Sequence, residues 1–201
     1  MDQFLDTGII IGYAQDEEKF VLFVKNKKEK FIVCYFVLEK DVHSLTKRMR
    51  IIINEVKNKI KDKDYQINKK ELYPRDVERV NKFLSLKEVN KLTDFEFIDF
   101  LENFQRIFEF RIDFFIQKLI NKKVIPIREI NFELKSSLFT YTQNHSDANI
   151  IASGIQYHQE NEIVLVTSDR NDWTKDNIDW AIPEHSELRK KYPKIPKIKY
   201  V

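Results

Sequence analysis

Short apolar runs that lead into acids, separated from one another by helix-length sequence, constrain this chain more than any other feature. Apolar residues precede Asp6 in FLDTGIIIGY and Glu39 in CYFVLEKDV, and IVLVTSDRNDW runs from Ile163 to Val166 before reaching Asp169 and Asp172. Asp147 stands at the head of an apolar helical stretch in HSDANIIASGIQYH. Short apolar runs bounded by polar sequence read as buried strands, and strands alternating with helices imply a parallel sheet. Carboxylates at the C-terminal tips of such strands stand where open α/β sheets bind their ligands. If these strands are neighbours, acids distant in sequence meet at one sheet edge, and so many like charges share a small space only around a divalent cation. Metal-assisted phosphodiester chemistry is the expectation this pattern raises.

Composition narrows the alternatives. With 201 residues, 42% hydrophobic and 33% charged, the chain matches a globular protein large enough to bury a full core as one enlarged domain. The net charge of +3 permits a polyanionic partner without requiring one. Cys34 is the single cysteine, which excludes an intramolecular disulfide and a cysteine-rich zinc site. No basic segment followed by an apolar core opens the chain, and no run approaches the ~18 apolar residues of a membrane span. A cytoplasmic protein without membrane contact is expected. The three glycines, Gly8, Gly12 and Gly154, cannot build a phosphate loop or a dinucleotide fingerprint. His43, His145, His158 and His185 lack zinc-site spacing. His145 reads as a loop residue rather than a catalytic base.

Along the chain, residues 3–6 read as a strand, and 31–38 as an apolar run compatible with strand or helix. Leu45, Met49, Ile52, Val56 and Ile60 recur at helical steps. Pro74 suits the start of a second helix. Residues 94–121 contain neither glycine nor proline and carry eight of the sixteen phenylalanines. Thr93 and Glu96 fit a capping box there, and a helix of that length spans roughly 40 Å. Phe97, Phe104, Phe108 and Phe115 share one face, while the other phenylalanines need neighbours of their own. So wide an apolar surface belongs either to a core or to a contact with a second copy, and a homodimer is expected. Residues 124–127 form a possible edge strand limited by Pro126. Ser146 is placed to cap the helix opening at Asp147, 163–166 is the clearest strand, and 193–201 supplies a last one.

Three of these segments resemble a PIN domain: LDTG with Asp6, DANIIASGIQ with Asp147 opening a helix, and LVTSDRNDW with Asp169 behind Thr167 and Ser168. The likeness covers about half the chain. It implies a three-layer α/β/α fold with a central parallel sheet, here one domain over residues 1–201 with a helical insertion at 44–121. It also implies an acidic cluster that binds Mg²⁺ or Mn²⁺ for RNA cleavage. The family's second acidic position follows an apolar run onto a helix. Glu39 fits it, and Asp41, two residues on, would face nearly the opposite way on a helix but the same way on a strand. The insertion departs from the compact PIN toxins.

On this resemblance Asp6, Glu39, Asp147, Asp169 and Asp172 form the catalytic set, with Asp6, Asp147 and Asp169 as metal ligands. Glu39 and Asp172 hold a second ion or orient its water. Carboxylate oxygens are hard donors that suit Mg²⁺ or Mn²⁺. Thr7, Thr167 and Ser168 have hydroxyls able to fix these carboxylates. The basic run RKKYPKIPKIKY, with Lys190, Lys191 and Lys194, is either an RNA-contacting surface or a solvated edge strand protected by lysines. A metal-dependent endoribonuclease acting on RNA, with a possible protein regulator, is the leading expectation. A non-catalytic RNA-binding or scaffold protein of the same fold is the other.

Overall fold

The computed structural model describes residues 1–68, 70 and 72–201, which form two compact units, Met1–His43 with Arg111–Val201, and Ser44–Phe110. The strands are β1 (Asp2–Leu5), β2 (Phe31–Cys34), β3 (Ile120–Val124), β4 (Ile163–Thr167) and β5 (Lys197–Tyr200). The first helices are α1 (Thr7–Ala14), α2 (Glu18–Lys25), α3 (His43–Lys61), α4 (Pro74–Val89) and α5 (Asp94–Phe114). They are followed by α6 (Phe132–Thr142), α7 (His145–His158), α8 (Lys175–Ala181) and α9 (Glu187–Lys191). The fold is α/β, a three-layer α/β/α arrangement around one five-stranded sheet in the order β3-β2-β1-β4-β5, parallel throughout.

Strand composition explains that order. FIVC of β2 is buried at every position, and β1 and β4 are nearly so, because parallel strands covered on both faces need continuous apolar sequence. INKKV of β3 and KIKY of β5 carry exposed lysines and take the two edges. The expected strand at 124–127 therefore lies earlier, at Ile120–Val124. Lys122 and Lys123 hid it, and Ile125, at φ 50°, leaves the strand conformation just before Pro126. For the same reason the expected helix over 94–121 is shorter: α5 ends at Phe114, and a π-helical turn, Phe115–Leu119, delivers the chain to β3. The ambiguous run at 31–38 is divided between β2 and a helical stretch whose π-helical part is Val37–Val42.

From β1 the chain moves to β2 on one side and later to β4 on the other, so β1 and β4 flank the topological switch point, where open sheets leave a crevice beyond their C-terminal ends. Register pairs Phe4 with Leu165 and Leu5 with Val166, which brings Asp6 level with Thr167. Helix α7 lies close to this part of the sheet because of Gly154: a Cβ there would be 2.4 Å from Leu165 Cδ2 and 3.4 Å from Phe4 Cδ1.

The second unit is helical, drawn from α3, α4 and α5. Thr93 and Glu96 close the reciprocal cap, with Thr93 N donating to Glu96 Oε2 at 2.9 Å and Glu96 N to Thr93 Oγ1 at 3.3 Å. Phe97, Phe100, Phe104 and Phe108 stack in series along α5. Phe97 and Phe108 are buried, whereas Phe95 and Ile107 are exposed. Asp76 is 1% exposed and is held by Arg48, whose Nη2 donates to both of its carboxylate oxygens at 2.8 Å. Arg48→Ala leaves that carboxylate buried without a counter-charge, held among the described residues only by the Tyr73 N–H at 3.2 Å, and is expected to lower stability by about 3 kcal/mol. Urea denaturation of wild type and variant measures the difference, and a change below ~1 kcal/mol would mean that water replaces the guanidinium. No helix among the described residues is long and apolar enough to cross a membrane.

Candidate metal centre

Four chain segments converge beyond the C-terminal ends of β1, β2 and β4. Asp6 follows β1 directly; its backbone N donates to Val166 O at 2.9 Å, which continues the pairing with β4 and fixes where its side chain emerges. Thr167, the last residue of β4, donates from Oγ1 to Asp6 Oδ2 at 2.9 Å. The same Oγ1 accepts from Asp169 N at 2.9 Å, so one hydroxyl sets the geometry of two acids. Asp169 Oδ1 then accepts from Asn171 N at 2.7 Å and Asp172 N at 3.0 Å, a turn that folds Asp172 back towards Asp169.

Asp147 lies in the first turn of α7, whose N-cap is Asn144 rather than the expected Ser146: Asn144 Oδ1 accepts from Ser146 N at 3.0 Å. Asn144 Nδ2 also donates to Asp147 Oδ2 at 2.6 Å, and the buried indole of Trp173 donates to Asp147 Oδ1 at 2.8 Å. Each carboxylate oxygen has about two acceptor sites, so these bonds orient Asp147 and leave capacity on both oxygens. Trp173 and Asn144 did not stand out in the sequence, although NDW beside the acids and an Asn ahead of the helix are the signals that carry them.

Carboxylate oxygens of Asp147, Asp169 and Asp172 lie within 4.8 Å of one another. That span suits opposed ligands of one hard cation, roughly 4–5 Å apart. Asp172, which the sequence reading placed in a supporting role, is thus within the tightest group. Asp6 stands beside the group and is occupied on one oxygen by Thr167. Gly8 packs closely here, since a Cβ on it would lie 3.1 Å from Asp6 Oδ2 and 3.2 Å from Ser168 Oγ and would push these side chains by a few tenths of an ångström.

At the second acidic position the geometry corrects the preference for Glu39. Glu39 is exposed, while Asp41 accepts from Thr7 Oγ1 on Oδ2 at 3.0 Å and from Ser146 Oγ on Oδ1. The segment is helical, so residues two apart point in nearly opposite directions, and the face that carries Asp41 is turned inward. Asp41 thereby ties the N-terminus of α1, next to Asp6, to the N-terminus of α7, next to Asp147. Thr7 accordingly orients Asp41 and Thr167 orients Asp6. Asp41→Asn is expected to weaken Mn²⁺ binding by about 10–100-fold, as loss of a ligand-positioning bond does, and Glu39→Gln by no more than about twofold. Calorimetric titration of both variants checks this, and the reverse order would reinstate Glu39.

Electrostatics follow from burial of like charges. Burial pushes the Asp6 carboxyl up to about 6 against the opposing Thr167 hydrogen bond, with the Asp41 charge adding to the rise. Asp147 is pushed up to about 8, first by burial and then by the Asp6 charge, with Asp172 adding and the Trp173 hydrogen bond opposing. Asp41 is raised by burial, which its two hydroxyl partners offset in part. A cation held by these carboxylates would offset this repulsion, and an all-oxygen donor set would favour Mg²⁺ or Mn²⁺ over metals that select imidazole or thiolate.

The three lysines singled out earlier stand apart from the acids in their bonding. Lys190 pairs with Glu187 at 2.6 Å, Lys191 lies over the Tyr192 ring at 5.7 Å, and Lys194 Nζ donates to Gln159 O at 2.8 Å. His145 stacks on Phe139 with ring centroids 3.9 Å apart. No family model, curated protein or solved structure matches the chain.

Proposed function

We propose that this protein is a Mg²⁺- or Mn²⁺-dependent endoribonuclease that hydrolyses phosphodiester bonds of single-stranded or loop RNA. The observation that carries the proposal is the convergence of Asp147, Asp169 and Asp172 at the switch point of a parallel sheet, with Asp6 and Asp41 beside them. Asp147, Asp169 and Asp172 would hold the ion. When bound, the ion supplies a water of lowered pKa and charge stabilisation at the phosphate. Trp173 Nε1 and Asn144 Nδ2 lock Asp147 in one rotamer, and Thr167 locks Asp6 and the Asp169 turn. Such prior fixing removes reorganisation from the reaction. The resemblance to PIN domains supplies the substrate class.

The experiment is incubation of purified protein with labelled RNAs in Mn²⁺ and in EDTA. Cleavage in Mn²⁺ that stops in EDTA is expected. RNA binding without cleavage in either condition would replace the proposal with the scaffold reading. We also propose a homodimer, for which exposed Phe95 and Ile107 on α5 offer apolar surface. Sedimentation of Phe95→Glu with Ile107→Glu tests it, and a dimer unchanged by both would move the contact elsewhere.

A further inference from the structure

A groove of about 540 Å³ runs between α8, α9 and β5, lined by Lys175, Ile178, Asp179, Arg189 and by Ile195 to Ile198 with Tyr200. Its size falls within the ~300–1,000 Å³ of ligand clefts. Two cations, Lys175 and Arg189, line it beside one carboxylate, Asp179, which lies 3.8 Å from Arg189, whereas the Lys197 side chain points to the other face of the sheet, where Lys199 lies over the Phe23 ring. Among the described residues Lys175 carries no ion pair. The remaining lining is apolar, from Ile195, Ile198 and the Tyr200 ring.

The groove is joined to the acidic centre through one residue. Tyr200 Oη donates to Trp173 O at 2.6 Å, and the indole of that same Trp173 holds Asp147. Arg170, in the loop between Asp169 and Asp172, places its guanidinium 5.1 Å from the Tyr200 ring centroid. Cations therefore continue from the acidic loop into the groove.

We infer that this groove binds the single-stranded RNA segment flanking the scissile phosphate, with Lys175 and Arg189 on phosphates and Tyr200 against a base. The inference rests on the reading of the acidic centre as one that acts on RNA. Excess positive charge answers the phosphates, and an apolar wall with an aromatic ring answers unpaired bases, a combination typical of single-strand channels. A duplex, whose bases are stacked on each other, offers nothing to that wall. In the basic C-terminal run it is thus Arg189 that contacts substrate, in place of Lys190, Lys191 and Lys194.

The test measures binding separately from cleavage. Fluorescence anisotropy of a fluorescein-labelled oligouridylate is followed in EDTA with wild type, Lys175→Ala/Arg189→Ala and the control Lys190→Ala/Lys191→Ala. The groove variant should bind at least tenfold more weakly, with the slope of log affinity against log salt reduced by about 1.4, the change for two lost contacts on a single strand. The control should stay within about twofold. Equal affinity of groove variant and wild type overturns the inference, as does an equal loss in the control, or no binding by wild type. Should the alanine variant fail to fold, Lys175→Gln/Arg189→Gln gives the same readout. A wild type that binds through the groove yet cleaves nothing in Mn²⁺ sinks the nuclease reading alone. Cleavage at wild-type rate and affinity by the groove variant sinks this inference alone.

Discussion

Asp147→Asn is expected to lower Mn²⁺-dependent RNA cleavage by roughly 10³-fold, the scale of loss when one preorganised charge-stabilising group is removed from an active site. Volume is nearly unchanged and the amide oxygen can still accept from Trp173 Nε1, which bonds Asp147 Oδ1 at 2.8 Å. On the other side the new amide nitrogen meets Asn144 Nδ2, now 2.6 Å from Asp147 Oδ2 and also a donor. One hydrogen bond is lost there, a cost of about 1 kcal/mol, and Asn144 cannot turn its amide without giving up the cap of α7. Fold and cap survive while the anionic ligand is gone. Single-turnover cleavage with saturating Mn²⁺, alongside circular dichroism, measures both. Activity within tenfold of wild type in a folded variant would remove Asp147 from the reaction.

Without metal the same cluster should make the protein less stable as pH rises from about 5 to about 8. Burial raises both carboxyls, Asp6 to about 6 with the Asp41 charge adding, and Asp147 to about 8 with the Asp6 and Asp172 charges adding. A carboxyl that holds its proton more tightly folded than unfolded stabilises the fold fully below its unfolded value. That contribution disappears as pH passes through the folded value. For Asp6 alone, a rise from 3.8 to about 6 corresponds to on the order of 3 kcal/mol, and Asp147 acts in the same direction. His158, pushed down by burial, contributes the opposite sign, but it is common to wild type and variant. Melting in EDTA at pH 5, 6.5 and 8 should show a falling Tm for wild type and a flatter profile for Asp147→Asn. At pH 8 the variant should be the more stable of the two, and Mn²⁺ should restore the wild type. Parallel profiles with no Mn²⁺ effect would show that the acids are separately solvated and hold no ion.

The alternation of strands and helices and the acids at 6, 147 and 169 were legible in the sequence because both depend on local pattern. Continuous apolar runs mark strands covered on two faces, as in FIVC and IVLV, and an acid just beyond such a run has little choice but to stand at the sheet edge. The long glycine- and proline-free stretch likewise fixed that α5 is a helix with a Thr93 and Glu96 cap. Strand order, and hence which edge acids meet, depends on crossovers that no local pattern encodes. Edge strand β3 was hidden because a strand buried on one side needs few apolar residues, so INKKV carries no strand-like run. Glu39 and Asp41 were separable only when the end of β2 at Cys34 and the helix after it set the phase of the side chains. Asn144 and Trp173 owe their roles to partners distant in space, and a hydrogen bond to Asp147 from a residue 26 positions away exists only once the tertiary fold has closed. Sequence determined which groups are available at the edge, and tertiary packing decided which oxygens point at one another.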